Sequence, residues 1–190
     1  MENSYSKILY FDTPGKVNTE ATLHFARERA LTLGIKQVVV ASSHGYTAKQ
    51  AKSIFAGTDI AIIAVTICAG YDDLGWTMTQ EERAELHDLG ITVLTSLHAL
   101  GDDVSDSLSN AAPNRIVRET LYTFCQGMKV AVEVALMAAD AGLLQMEHEI
   151  IAIAGTGDGA DTALVIKPAT ARKFRQIEIR EILAKPRYSR

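Results

Sequence analysis

The segment Ser42-Ser43-His44-Gly45-Tyr46-Thr47 brings three short hydroxyls and a glycine to the junction between an apolar run and a helical pattern. That combination can hold a phosphate: N–H groups are free at a helix start, the helix dipole is positive there, and Gly45 lets the backbone approach an anion. The same residues also read as a plain helix start, because Thr47-Ala-Lys-Gln50 has the form of a capping box. Residue chemistry leaves both readings open. His44 matters only in the first of them. A second candidate is Gly155-Thr156-Gly157-Asp158-Gly159-Ala160-Asp161-Thr162. Gly155-x-Gly157-x-x-Ala160 is the loosest form of a dinucleotide fingerprint, but that motif must open a helix, and Ala163-Leu-Val-Ile166 followed by Pro168 reads as another strand. A Rossmann site is therefore rejected. The segment can still lie over a ligand through its amides and Thr156 or Thr162, or it can be a simple turn with Asp161 as a local cap. Thr66 and the string Thr95-Ser96-Leu97-His98 complete the candidates, with His98 able to donate to a ring or phosphate or to be merely packed.

Other chemistries find little support. No His-x-x-x-His, cysteine cluster or calcium-type loop appears, which disfavours a metal site. Asp72-Asp73 and Asp102-Asp103 are adjacent, so their side chains diverge, and solvated loops explain them better than acid–base catalysis. No serine elbow or Walker loop is legible, and neither Cys68 nor Cys125 has a neighbour that would lower a thiol pKa. Glu133 lies in an apolar helical stretch with Lys129 one turn away as a partner.

The elements that would carry these groups alternate between β-branched runs and helical periodicity, the mark of an α/β fold. Strands are expected at Ile8–Phe11, Gln37–Ala41, Ile60–Val65, Ile91–Thr95, Ile150–Ala154, Ala163–Ile166 and Ile177–Leu183. Helices are expected at Thr19–Leu33 (stopped by Gly34), Thr47–Phe55, from the capping box Thr79-Gln-Glu-Glu82 to about Leu89, and from Pro113 to about Ala141. In the last, Val117, Leu121, Phe124, Met128, Ala131, Ala135 and Ala139 should face the sheet. Wholly apolar strands suit a sheet covered on both sides, and the short gap between the fifth and sixth strands calls for an antiparallel hairpin. The expectation is one three-layer α/β/α domain, with about five parallel strands and a C-terminal antiparallel edge. The irregular stretches 66–78 and 96–112 each begin where a parallel strand ends, which is where ligands bind in open parallel sheets.

Composition agrees with a single folded domain: 190 residues, 47% hydrophobic and 22% charged. A net charge of −4 provides no field for nucleic acid. Residues 167–190 hold eight of the 19 Lys and Arg but two of the 23 Asp and Glu, a basic segment suited to solvent or a subunit contact. No leader or membrane-length apolar stretch is visible, and two isolated cysteines fit reduced thiols, so a cytoplasmic protein is expected.

The run Asn18–Thr66, with Val38-Val-Val-Ala-Ser-Ser-His-Gly-Tyr-Thr47-Ala and Ile60-Ala-Ile-Ile-Ala-Val-Thr66, resembles the C-terminal domain of pyruvate kinase. The longer strings Ser96–Leu100, Gln126–Val130, Ala138–Gly142 and Ile151–Thr156 through Gly159–Ala163 are similar to small stand-alone proteins of that fold. The resemblance implies a domain without the catalytic barrel, hence without kinase chemistry. It makes Ser42, Ser43, Gly45 and Thr47 anion ligands, as in the turn that holds a phosphate of a sugar-bisphosphate regulator. It also implies FMN as the ligand, with Thr66, His98 and the 155–162 segment around the ring. Where the resemblance would put histidines after Thr66, this chain has Ile67-Cys68. The leading expectation is thus binding of a phosphorylated planar ligand, with a flavin-dependent redox role if it is an enzyme. The alternatives are a non-catalytic module sensing a sugar phosphate or nucleotide, and a structural subunit of a homo-oligomer.

Overall fold

Val38, Val39 and Val40 have no solvent exposure at all, which a strand achieves only where helices cover both faces of its sheet. The computed structural model describes residues 6–101, 103–108 and 112–188. Its elements are β1 (Leu9–Phe11), α1 (Thr19–Leu33), β2 (Gln37–Ala41), α2 (Tyr46–Ile54), β3 (Ala61–Thr66), α3 (Gln80–Asp88), β4 (Thr92–Thr95), α4 (Val104–Leu108), α5 (Pro113–Tyr122), α6 (Gln126–Asp140), β5 (Ile150–Ala154), β6 (Thr162–Lys167) and β7 (Glu178–Pro186). Short 3₁₀ turns occupy Lys16–Asn18, Ala69–Leu74 and Ala171–Gln176.

The strands form one sheet in the order β1-β7-β6-β5-β2-β3-β4. Pairing is parallel except on the two sides of β6, so β6 alone runs against the other six strands. The expected three-layer, mostly parallel architecture with an antiparallel C-terminal hairpin is what the chain adopts. The reversed strand lies inside the sheet because β7 and β1 add beyond it, and β1 pairs in parallel with β7. Side-chain alternation divides the core. Val38, Val40, Ile62, Ala64, Ile151 and Ile153 pack with α1, α2 and α3. Val39, Ile63, Val65, Ile150 and Ala152 meet α6 on the other face.

Helix ends follow local signals. Gly34 terminates α1 in a left-handed conformation, with its N–H and that of Ile35 returned to the last turn. The capping box of α3 is complete: Thr79 Oγ1 accepts from Glu82 N, and Glu82 Oε2 accepts from Thr79 N.

The continuous helix expected over Pro113–Ala141 is two helices. Cys125 is fully extended (φ 177°, ψ 169°), and its sulfur accepts from Met128 N as the cap of α6. Tertiary packing overrides the helical periodicity here. Gly127 lies so close to β6 that a β-carbon on it would collide with the Thr162 side chain, so α6 must start where it can dock on the sheet. Met128, Ala131, Ala135 and Ala139 are buried as expected, and Val117 and Leu121 are partly buried on the same cluster. Phe124, at the break, is 48% exposed and does not face the sheet. The stretch 96–112 also contains α4, capped by Asp103, whose Oδ1 accepts from Asp106 N, so Asp103 is a helix cap and not a loop residue, while Asp102 lies outside the described residues.

Replacing Gly127 by Ala forces α6 off β6 and should cost about 1–3 kcal/mol, read as a lower urea midpoint. An unchanged midpoint would mean that the helix can lift away without loss.

Candidate functional site

The chain leaves β2 toward β3 and leaves β5 toward β6, in opposite directions across the sheet. Adjacent strands that diverge in this way open a crevice beyond their carboxyl ends. Ser42 follows β2 and Gly155 follows β5, so the two strongest sequence candidates meet at this switch point. A cavity of about 580 Å³ lies there, lined by Ser42, Ser43, His44, Tyr46, Thr47, Thr66, His98, Gly155 and Gly157 among others. A more open depression along α1 has His24, Arg27, Glu28 and Thr32 as its polar lining and lies away from the strand ends.

The turn after β2 is held at its edges and open in its middle. Ser42 N donates to Val65 O, and Ser42 Oγ accepts from Ala48 N at 3.3 Å. Gly45 is the N-cap of α2, with φ 83°, a left-handed conformation that favours glycine. It supplies no side-chain cap, and Thr47 sits buried in the first turn of the helix. The capping box read from Thr47-Ala-Lys-Gln50 is therefore not formed, because the helix starts one residue earlier than Thr47. One of the orphan N–H groups at the start of α2 is thus filled by Ser42. The main-chain N–H groups of Ser43, His44, Gly45, Tyr46 and Thr47 meet no acceptor among the described residues.

Around this turn the charges are paired. His44 Nδ1 lies 3.2 Å from Glu82 Oε2. Lys16 Nζ is 2.7 Å from Asp158 Oδ2 and stands 4.0 Å over the Tyr46 ring. The hydrogen bond from Lys16 holds the Asp158 carboxyl below its ordinary value, and Asp158 in turn raises the Lys16 ammonium. Burial works to raise Glu82, but the Thr79 amide and His44 outweigh it and hold that carboxyl below its ordinary value.

The wall opposite was only partly legible. Tyr71 stacks on Trp76 at 5.5 Å between ring centroids and on His98 at 5.9 Å, and all three line the cavity. The length of the 66–78 stretch marked it as functional without singling out its two aromatics. His98 Nε2 lies 3.4 Å from Cys68 N, within reach of that N–H. Thr66 lines the cavity too, but its hydroxyl is engaged with Thr95 Oγ1 at 2.6 Å. From α6, Lys129 and Glu133 form a buried ion pair at the cavity, and Tyr122 lies beside Lys129. The one-turn spacing of Lys129 and Glu133 implies a structural ion pair; a glutamate within an apolar helix is the signal of its place at the cavity.

Asp161, Thr162 and Thr156 are not brought to the cavity. Asp161 is fully buried and turned inward; its Oδ2 accepts from Gly15 N at 2.7 Å and Thr156 N at 3.2 Å, and its Oδ1 from Thr162 Oγ1 at 2.8 Å. Ala160 N donates to Thr19 Oγ1, which pins the hairpin to the start of α1. The segment 155–162 therefore reaches the cavity only through Gly155, Gly157, Asp158 and Gly159. Asp72 and Asp103 are likewise local: Asp72 accepts from Thr77, and Asp103 from Asp106 N and Asn114. Both cysteines are buried and free. Among the described residues no group of three metal-ligating side chains is gathered, and no helix is long and apolar enough to cross a membrane.

A doubly covered, mostly parallel sheet with a cavity at its switch point defines an open-sheet α/β domain. Residues 20–166 match the family described as "Pyruvate kinase, alpha/beta domain", and the chain belongs to that family. Among solved structures it is similar to two pyruvate kinases of Cryptosporidium parvum. One is 15% identical with a TM-score of 0.40, covering 77% of this chain and 22% of that chain. The other is 16% identical with a TM-score of 0.37, covering 75% and 21%. The chain thus spans about a fifth of the length of those enzymes.

Removing the Asp161 carboxylate strands three donors, so Asp161→Ala should cost about 2–5 kcal/mol in chemical denaturation. A variant of wild-type stability would show that these donors find other partners. Glu82 carries the opposite kind of test. Because its folded value lies below the ordinary 4.5, it stabilises the protein above that pH and loses this effect as pH falls through the folded value. Glu82→Gln should flatten that part of the acid limb of the stability–pH curve; a curve parallel to wild type would refute the assignment.

Proposed function

We propose that this protein binds a phosphorylated planar ligand at the switch-point cavity, with FMN as the best-fitting member of that class. The observation that carries the reading is the run of unfilled N–H groups from Ser43 to Thr47, in a turn whose Ser43, His44, Tyr46 and Thr47 line the cavity together with the aromatic stack of Tyr71, Trp76 and His98. A phosphate satisfies such donors and the positive end of α2 together. The Thr47 and Ser43 hydroxyls add short donors beside them. Tyr71, Trp76 and His98 offer a flat surface for a ring. The cavity, at about 580 Å³, falls within the range of pockets that enclose small ligands. Lys16 offsets the charge of Asp158 near the turn, and Glu82 is held by the Thr79 amide and the His44 ring.

In the FMN case the phosphate rests on the turn and the ring against the aromatic wall, with Gly155 and Gly157 leaving room for the linking chain. The bound flavin would supply electron or hydride transfer. The protein's contribution is to orient the ring and exclude water from one of its faces.

A regulatory module that senses a sugar phosphate or nucleotide is the second reading, favoured by membership of the pyruvate kinase α/β family. Spectroscopy separates the two. Freshly purified protein should absorb in the visible, or take up added FMN with quenching of its fluorescence and bind riboflavin far less tightly. Thr47→Val keeps the side-chain volume while deleting a hydroxyl and should weaken FMN about fivefold, the value of one hydrogen bond. Equal affinity for FMN and riboflavin would rule out the phosphate turn; a colourless protein stabilised only by sugar phosphates would favour the sensor.

A further inference from the structure

Lys129 is the one buried ammonium on the cavity wall among the described residues, with only 8% of its side chain exposed. Its Nζ donates to Glu133 Oε2 and stands 5.9 Å from the centre of the Tyr122 ring. An ammonium has three N–H donors, and two of these meet no acceptor among the described residues. Buried donors without acceptors are costly, and a buried ion pair is stable only when its remaining protons are satisfied. Glu133 is differently placed. Its Oε1 accepts from Leu100 N at 2.9 Å, so both of its oxygens are engaged, and it ties the segment carrying His98 to α6. Lys129 itself lines the cavity, so the two unused N–H donors of the pair stand at its wall.

The character of the acceptor follows from charge. Lys129 alone would favour a second phosphate. Beside Glu133 the pair is close to neutral, and a dianion brought there would be repelled by the carboxylate, which is an acceptor only. A neutral oxygen, such as a ring carbonyl, accepts from Lys129 without that repulsion. We propose that Lys129, held by Glu133, is a specificity-determining residue that donates to a ring carbonyl at the end of the ligand remote from its phosphate, so that the site selects oxo-ring monophosphates over bisphosphorylated sugars. The proposal rests on the reading that the 43–47 turn holds the phosphate.

The test uses the whole protein and five probes: FMN, inosine monophosphate, adenosine monophosphate, a hexose bisphosphate and inorganic phosphate. Calorimetry and thermal shift read binding without any activity assay. Inosine and adenosine monophosphates differ at one ring position, a carbonyl in the first and an amine in the second. Wild type should prefer the inosine compound and FMN over the hexose bisphosphate. Lys129→Met with Glu133→Gln removes both charges together, so none is stranded, and the apo melting curve reports its folding. This double variant should bind FMN roughly ten- to hundred-fold less tightly, the worth of a charged hydrogen bond. It should lose the inosine preference yet keep its affinity for inorganic phosphate. Glu133→Gln alone leaves a net cation and should improve hexose bisphosphate binding. Thr47→Val should weaken every probe, phosphate included. Unchanged FMN affinity in the double variant, or a hexose bisphosphate as the tightest wild-type ligand, would overturn the role of Lys129 while leaving the phosphate turn intact. An effect at Lys129 with none at Thr47 would overturn the turn instead, and a wild type that binds none of the five would overturn both.

Discussion

A carboxylate with no solvent exposure organises the carboxyl edge of this sheet. Asp161 accepts from Gly15, Thr156 and Thr162, three groups that belong to the approach to α1, the exit from β5 and the start of β6. Burying a charge is costly, and it is tolerated here because donors converge on both oxygens. Thr162 carries the constraint further, since its side chain abuts Gly127 and its hydroxyl lies 3.4 Å from the Cys125 sulfur that caps α6. The position of α6, and with it Lys129 and Glu133, thus follows from the same cluster that fixes the floor of the cavity. Lining the cavity and holding it rigid from behind are separate tasks given to neighbouring residues of one loop.

The division recurs in the turn after β2. Ser42 is spent on structure, extending the β2–β3 pairing and filling the N–H of Ala48. Gly45 allows the left-handed bend that turns the chain into α2. Between them the amides remain unfilled, which a protein tolerates where solvent or a ligand can reach them. Helix capping and ligand binding compete for the same N–H groups, and the absence of a side-chain cap at Gly45 leaves them available.

Much of the fold was legible because its signals are local or strongly periodic. Apolar strands such as Gln37–Ala41 and Ile150–Ala154, the glycine stop of α1 and the Thr79–Glu82 box each depend on a few neighbouring residues. Phe124 misled for the opposite reason. Its spacing continues the apolar stripe, but the docking of Gly127 on β6 breaks the helix before that stripe can reach the sheet. Ser42 to Thr47 form the strand-to-helix turn that their types implied, because such a turn carries its own geometry, although the helix starts at Tyr46 and not at Thr47. Asp161 and Thr162 turned inward, since the hairpin brought Gly15 to them from 146 residues away. Tyr71 and Trp76 had no distinctive spacing, and Lys129 was legible only as the partner of Glu133; what joins them is that all line one cavity.

The order of residues alone determined the alternation of strands and helices, the double covering of the sheet, and the hydroxyl-rich bend between β2 and α2. Those depend on side-chain period and on backbone preferences within a few positions. Only the folded chain decided that β1 joins β7, that α5 and α6 are distinct, and which of the strand-end polar groups face the cavity. Such outcomes arise from contacts between segments far apart in sequence, where packing and the satisfaction of buried donors override local preference.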